Sequence, residues 1–208
     1  MKTTTIKASF INTIFLSAVI FGASSCENHD NHDDKTAAEK IGEPKTEEVA
    51  KDQNADKFND TDDQKNAKFL VKAAEINLEE ISLGKLAQEK STNADVKSLG
   101  KMMETAHTKG LADLKGLATK KGISIPTENT EDIKDAYNKL NDKDQTDFNK
   151  SYADMMVDGH KKAIDLFEKQ STESSDADIR AWATSMLPEL RKHLDHAVTV
   201  KDKLDKIK

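Results

Sequence analysis

The chain is expected to be all-α: a four-helix bundle with a short extra helix between the second and third long helices, preceded by a disordered N-terminal region. Three observations carry this expectation. From Asn66 onward, apolar residues recur at three- and four-residue spacing. The breaks in that pattern hold Ser, Thr, Asn and Asp, the residues that cap helices. Glycines are few and no strand-type alternation stands out. The 208 residues suffice for one domain plus extensions. Hydrophobic residues make up 36% and charged residues 34%, an average that hides a nearly coreless N-terminal third and a patterned remainder.

Residues 1–25 read as a lipoprotein-type signal peptide. Met1, Lys2 and Lys7 form a basic start, and an apolar run from about Phe10 to Ala23 follows. A membrane span needs roughly 20 apolar residues, so this run is too short for one. Ala23-Ser24-Ser25-Cys26 resembles a bacterial lipobox, with Ala23 where Leu is usual. That resemblance implies that Cys26 is lipidated and becomes the mature N-terminus, tethered to the membrane through a lipid anchor. The competing reading is an ordinary cleaved signal with an incidental cysteine. As the single cysteine, Cys26 excludes a disulfide within the monomer. Residues 26–65 are rich in Asp, Glu, Lys and Asn and contain Pro44, and they read as a flexible polar linker. His29 and His32 within it suit loose metal scavenging, or simply a solvated leader.

Residues 66–208 carry the bundle. The first long helix is expected over about Asn66–Glu89, burying Phe69, Ala73, Ile76, Leu83 and Ala87. Ser91-Thr92-Asn93 ends it and caps the second, about Ala94–Lys121, whose stripe is Val96, Leu99, Met103, Ala106, Leu114 and Leu117. Gly122 is a C-terminal stop and Pro126 marks the following loop. The short helix after Thr130 carries Ile133, Tyr137 and Leu140. A third long helix, about Lys143–Gln170, buries Phe148, Tyr152, Met155, Met156, Ala163 and Phe167. Ser174, Ser175 and Asp176 cap the fourth, about Ala177–Lys206, with Ile179, Trp182, Met186, Leu190, Leu194 and Ala197. Pro188 should kink it. The two hairpins look related. Ala94-Asp95-Val96-Lys97 and Ala177-Asp178-Ile179-Arg180 open matching helices. Glu80 precedes Ser91 by as much as His160 precedes Ser171, which matches Glu80 with His160.

Four polar residues fall on the apolar stripes, one per long helix: Glu80, His107, His160 and His193. Such groups are costly on a buried face unless something satisfies them. Bundle proteins build metal centres from one ligand per helix. All four lie near the middles of their helices, which permits convergence. One reading is a centre of three imidazoles and a carboxylate for a transition metal: iron, copper or zinc. Met103 and Met156, one turn from His107 and His160, would favour copper. The other is a buried Glu–His hydrogen-bond network without metal. Glu104 and Glu189 sit on helix flanks, so a di-iron carboxylate site is not expected. Glu75, Glu79 and His196 are expected to face solvent.

The stretches Phe69-Leu70-Val71-Lys72-Ala73-Ala74-Glu75, Leu83-Gly84-Lys85-Leu86-Ala87, Met102-Met103 through His107, Met155-Met156-Val157-Asp158-Gly159-His160 and Leu187-Pro188 through His193-Leu194 are similar, in order and spacing, to a bacterial envelope family. It is domain of unknown function 4142, grouped with ferritin-like folds, and the resemblance covers about Lys68–Leu204. Family members resemble this chain at Glu80, His107, His160 and His193. Many carry Asp before the first two histidines, where this chain has Ala106 and Gly159. The resemblance implies a ferritin-like bundle in the periplasm or at the outer membrane, and no activity.

The formal net charge is −6 with no basic stripe, which argues against nucleic-acid binding. Serine–histidine–acid, phosphate-loop and paired-carboxylate signals are missing, so a non-enzymatic role is favoured. The expectation is a lipid-anchored bacterial cell-envelope protein, facing the periplasm or on the outer-membrane surface, with a binding or stress-related role. The alternatives are a metal-dependent redox or metal-storage protein, and a structural bundle that binds a protein partner of unknown kind.

Overall fold

The computed structural model describes residues 46–206. The signal-like segment, Cys26, His29, His32 and Pro44 lie outside them. The described residues form six helices and no strand: α1 (Glu47–Lys57), α2 (Thr61–Lys90), α3 (Ala94–Lys121), α4 (Glu131–Asn141), α5 (Gln145–Glu173) and α6 (Ala177–Asp205). Each begins on a side chain that accepts from a first-turn N–H: Thr46, Asp60, Asn93, Thr130, Asp144 and Asp176 in turn. Helix α3 ends on Gly122, whose φ of 62° is the left-handed cap geometry that glycine adopts without penalty.

The flexible linker expected over residues 26–65 is corrected over about its second half. Helix α1 lies inside it, and α2 begins at Thr61. Apolar periodicity missed α1 because polar contacts hold it. The Asn54 amide donates to the Ser124 carbonyl and accepts from the Ser124 N–H, both at 2.8 Å, and the Lys57 ammonium donates to the Gly122 carbonyl at 2.6 Å. Helix α6 runs unbroken through Pro188, which lies on its exposed face. There the carbonyl that loses its partner can turn to water.

Helices α2 and α3 form one antiparallel hairpin, α5 and α6 the other. The 23 residues between α3 and α5 (122–144) carry the chain from one end of the bundle to the other. They start beside Asn54, pass Ser82 through Asn129, and end beside Lys90, which donates to the Asn141 carbonyl. Two hairpins joined by one long crossover is the connectivity of ferritin-like bundles.

The hairpins are related by an approximate two-fold axis, visible in reciprocal bonds. The Ser91 hydroxyl meets Asn149 at 2.7 Å while that of Ser174 meets Asn66 at 2.7 Å. Lys120 pairs with Asp178 at 2.8 Å while Lys203 pairs with Asp95 at 2.9 Å. Asn93 and Asp176 cap α3 and α6 in the same way. One constant spacing relates all these pairs, and it corrects the alignment read from sequence. Asn77, not Glu80, is the counterpart of His160, and Gly110 is the counterpart of His193.

The core divides into two apolar clusters. One contains Phe69, Phe167 and Trp182, whose rings meet pairwise at 5.2–5.8 Å. The other contains Leu83, Met103, Phe148, Tyr152 and Met156. The buried histidines fall between them along the chain direction of each helix. Within the first hairpin α2 and α3 touch backbone to backbone: a Cβ added at Gly100 would lie 2.7 Å from the Gly84 carbonyl oxygen and 2.8 Å from the Ala87 Cβ. Gly100→Ala should therefore cost about 1–3 kcal/mol, read as a lower urea midpoint at unchanged slope. An unchanged midpoint would show that the two helices part freely.

Candidate metal centre

Three imidazoles meet in the middle of the bundle. His107 comes from α3, His160 from α5 and His193 from α6, each at most 4% exposed. Their ring centroids are 5.4–5.7 Å apart. One nitrogen from each falls within 4.8 Å of the other two. Three of the chain's expected ligands thus converge. They do so because α3, α5 and α6 each bury one narrow stripe, and the two-fold arrangement sets the helix midpoints at one level.

Hydrogen bonds determine which nitrogen His107 and His160 offer. The His160 Nδ1 lies 2.8 Å from the Met156 carbonyl. A carbonyl only accepts, so Nδ1 carries the proton and Nε2 keeps its lone pair. The His107 Nδ1 lies 3.1 Å from the Asn77 Oδ1, and the Asn77 amide nitrogen donates to the Ala73 carbonyl at 2.7 Å. Nε2 of His107 is left with the lone pair in the same way. His193 turns its Nε2 toward the Glu189 carboxylate, 3.8 Å away and half exposed, and keeps Nδ1 inside. The His107 Nε2, His160 Nε2 and His193 Nδ1 are buried and have no hydrogen-bond partner.

Glu80 lies next to this triad but outside the group of converging atoms. Its Oε1 is 3.7 Å from the His160 Nδ1, the nitrogen already bonded to Met156, and its Oε2 is buried without a partner. A Cβ on Gly159 would stand 3.5 Å from Oε1, an ordinary van der Waals contact, so the carboxyl packs beside this point of α5. The Tyr152 hydroxyl is likewise buried and unpartnered. Burial, and then the charge of Glu79, hold the Glu80 carboxyl well above the usual carboxylate range. Burial, and then Glu80, raise the Tyr152 phenol. Burial, and then the neighbouring imidazoles, push His107 well below its ordinary value. Burial brings His160 and His193 down to about 4. Near neutral pH the three rings are therefore uncharged, the state in which imidazole binds metal.

The donor set fits one ion. Nitrogens of a tetrahedral zinc site stand about 3.3 Å apart, given bonds of about 2.05 Å. Small ring movements would bring the triad to that spacing. It does not fit the carboxylate-rich di-iron site found in many ferritin-like bundles. Glu104 is held on its flank by Gln88 and Lys101, and Glu189 is half exposed. Met103 and Met156 are packed in the second apolar cluster.

Other expectations are revised. Glu75 is buried and held by Lys72 at 2.8 Å rather than solvated, and Glu79 is half-buried with its carboxyl raised by burial. His196 is exposed, as expected. Sequence reasoning missed Asn77, because α2 is buried on several faces and its wheel shows no clean stripe. It counted Tyr152 as apolar packing and overlooked its hydroxyl. The only available signal for Asn77 was its place one turn before Ile81 and one turn after Ala73.

No curated protein and no solved structure matches the chain. Residues 47–200 do match the family described as Domain of unknown function (DUF4142), the stretch that contains all six of the residues discussed above: Asn77, Glu80, His107, Tyr152, His160 and His193. On that match the chain belongs to the DUF4142 family.

Proposed function

We propose that this domain binds one transition-metal ion through His107, His160 and His193, and that the protein is a tethered cell-envelope lipoprotein whose bundle presents that centre. The observation that carries the metal reading is that three buried histidines bring one nitrogen each within 4.8 Å of the others, while each ring also keeps a buried nitrogen without a hydrogen-bond partner. Without an ion those buried nitrogens stay unsatisfied, at a cost of about 1–3 kcal/mol for each. An all-imidazole set suits zinc, copper or iron. A divalent ion beside Glu80 would favour the ionised carboxylate and recover part of its burial cost. Zinc with three protein ligands keeps a fourth position for water or another group. Bulk storage is disfavoured, because the described residues hold a single such group.

Full-length protein purified without a His-tag should carry one equivalent of zinc, copper or iron by elemental analysis. His107→Ala and His160→Ala should each reduce it far below one equivalent. Wild-type protein that stays metal-free after dialysis against all three ions would sink the reading. The anchor has its own test. Cys26→Ala should move the protein from the membrane to the soluble periplasmic fraction, and unchanged membrane association would count against lipidation.

A further inference from the structure

We infer that Asn77 is a positioning residue that locks His107 in its metal-binding tautomer, with Gly110 as the space that admits it. The inference rests on the metal reading above. An isolated neutral imidazole can carry its proton on either nitrogen. His160 needs no helper, since its own helix supplies the Met156 carbonyl. His107 bonds instead to a side chain on another helix, and that side chain can work only if its amide is oriented. The Ala73 carbonyl orients it: it accepts from the Asn77 Nδ2, so Oδ1 is the atom left facing His107. Oδ1 cannot donate, so the proton on His107 must sit at Nδ1.

Gly110 completes the lock. A Cβ there would stand 2.8 Å from the Asn77 Oδ1 and would displace it. The approximate two-fold gives the pair its context. Asn77 occupies the place that His160 occupies in the second hairpin, and Gly110 the place of His193. The second hairpin uses these two positions to ligate. The first uses them to orient its single ligand, His107. Partners of this kind around metal-bound histidines are typically worth 10–100-fold in metal affinity.

Two readouts on the full chain separate this role from the metal reading. The first needs no metal: two-bond proton–nitrogen correlation of the chelator-treated, nitrogen-15-labelled protein. Wild type should show His107 protonated at Nδ1 and bare at Nε2, and Asn77→Leu should shift the proton toward Nε2. The second is zinc affinity by competition with a chromophoric chelator. Asn77→Leu and Gly110→Ala should each lose 10–100-fold, whereas Asn77→Asp, which keeps an acceptor, should stay within about fivefold of wild type. A wild-type His107 bare at Nδ1 overturns the lock whether or not any variant folds. So does an Asn77→Leu protein with wild-type ring shifts and affinity. If wild type binds none of zinc, copper or iron, the metal reading falls and the positioning role with it, even where the ring shifts agree.

Discussion

Zinc added to the metal-free protein at pH 7.5 is expected to raise its melting temperature by roughly 8–16 °C. Free ion about 1,000-fold above Kd stabilises the folded state by about 4 kcal/mol. A chain of this size shifts by about 2–4 °C per kcal/mol. The shift should grow with the logarithm of free zinc and vanish on chelation. His107→Leu/His160→Leu/His193→Leu should show no shift. Its metal-free form should also melt higher than metal-free wild type, because apolar side chains replace three buried rings whose inward nitrogens lack partners. Scanning calorimetry with and without zinc decides both points. A triple variant that still responds to zinc like wild type would place the binding elsewhere, and one that melts lower would mean the imidazoles stabilise the metal-free core.

Mild acid should weaken the metal-free protein, with a clear loss of stability already at pH 5. His160 and His193 bind protons near pH 4 in the folded state and near 6.5 when unfolded. Their pKa values are lowered by folding, so between those limits the unfolded chain holds more protons. Their stabilising effect is complete above about pH 6.5 and is lost as pH falls toward 4. At pH 5 the loss is about 2 kcal/mol for each ring, roughly 4 for both, against a typical domain stability of about 5–15 kcal/mol. Glu80 acts in the opposite sense. Its carboxyl is raised in the folded state, so its penalty is present near neutral pH and fades as it takes up a proton on acidification. Glu80→Gln removes that offset and should expose the full histidine effect in urea titrations at pH 8 and pH 5. Equal stability at the two pH values in the Glu80→Gln protein would show that the rings are not held neutral by burial.

The helices and most of the site could be read from sequence where a helix buries a single face. On α3, α5 and α6 the stripe is narrow, so His107, His160 and His193 stood out as polar residues in apolar positions. Helix α2 resisted the same reading. It is covered by α1, α3, the crossover and α5, so Leu70, Val71, Ala74 and Leu78 are buried along with Glu75 and Asn77. With burial on several sides, the angular signal that separates inside from outside is lost. Neither Asn77 nor Gly110 therefore stood out. Helix α1 was invisible for a different reason. It buries only Ala50 and Asn54, and a side-chain amide paired with the backbone of residue 124 leaves no apolar period to detect.

The layer of imidazoles between two apolar clusters also has a consequence for how the bundle assembles. Aliphatic stripes alone tolerate sliding: a rod displaced by one turn, about 5.4 Å, finds similar partners. Here such a slip would drive a ring of α5 or α6 toward the level of Phe69 on one side or of Leu83 on the other, both on α2. It would also break the Asn77–His107 bond. Misaligned packings are thereby penalised by several kcal/mol of unsatisfied polarity, and the groups that weaken the metal-free core select its one correct alignment.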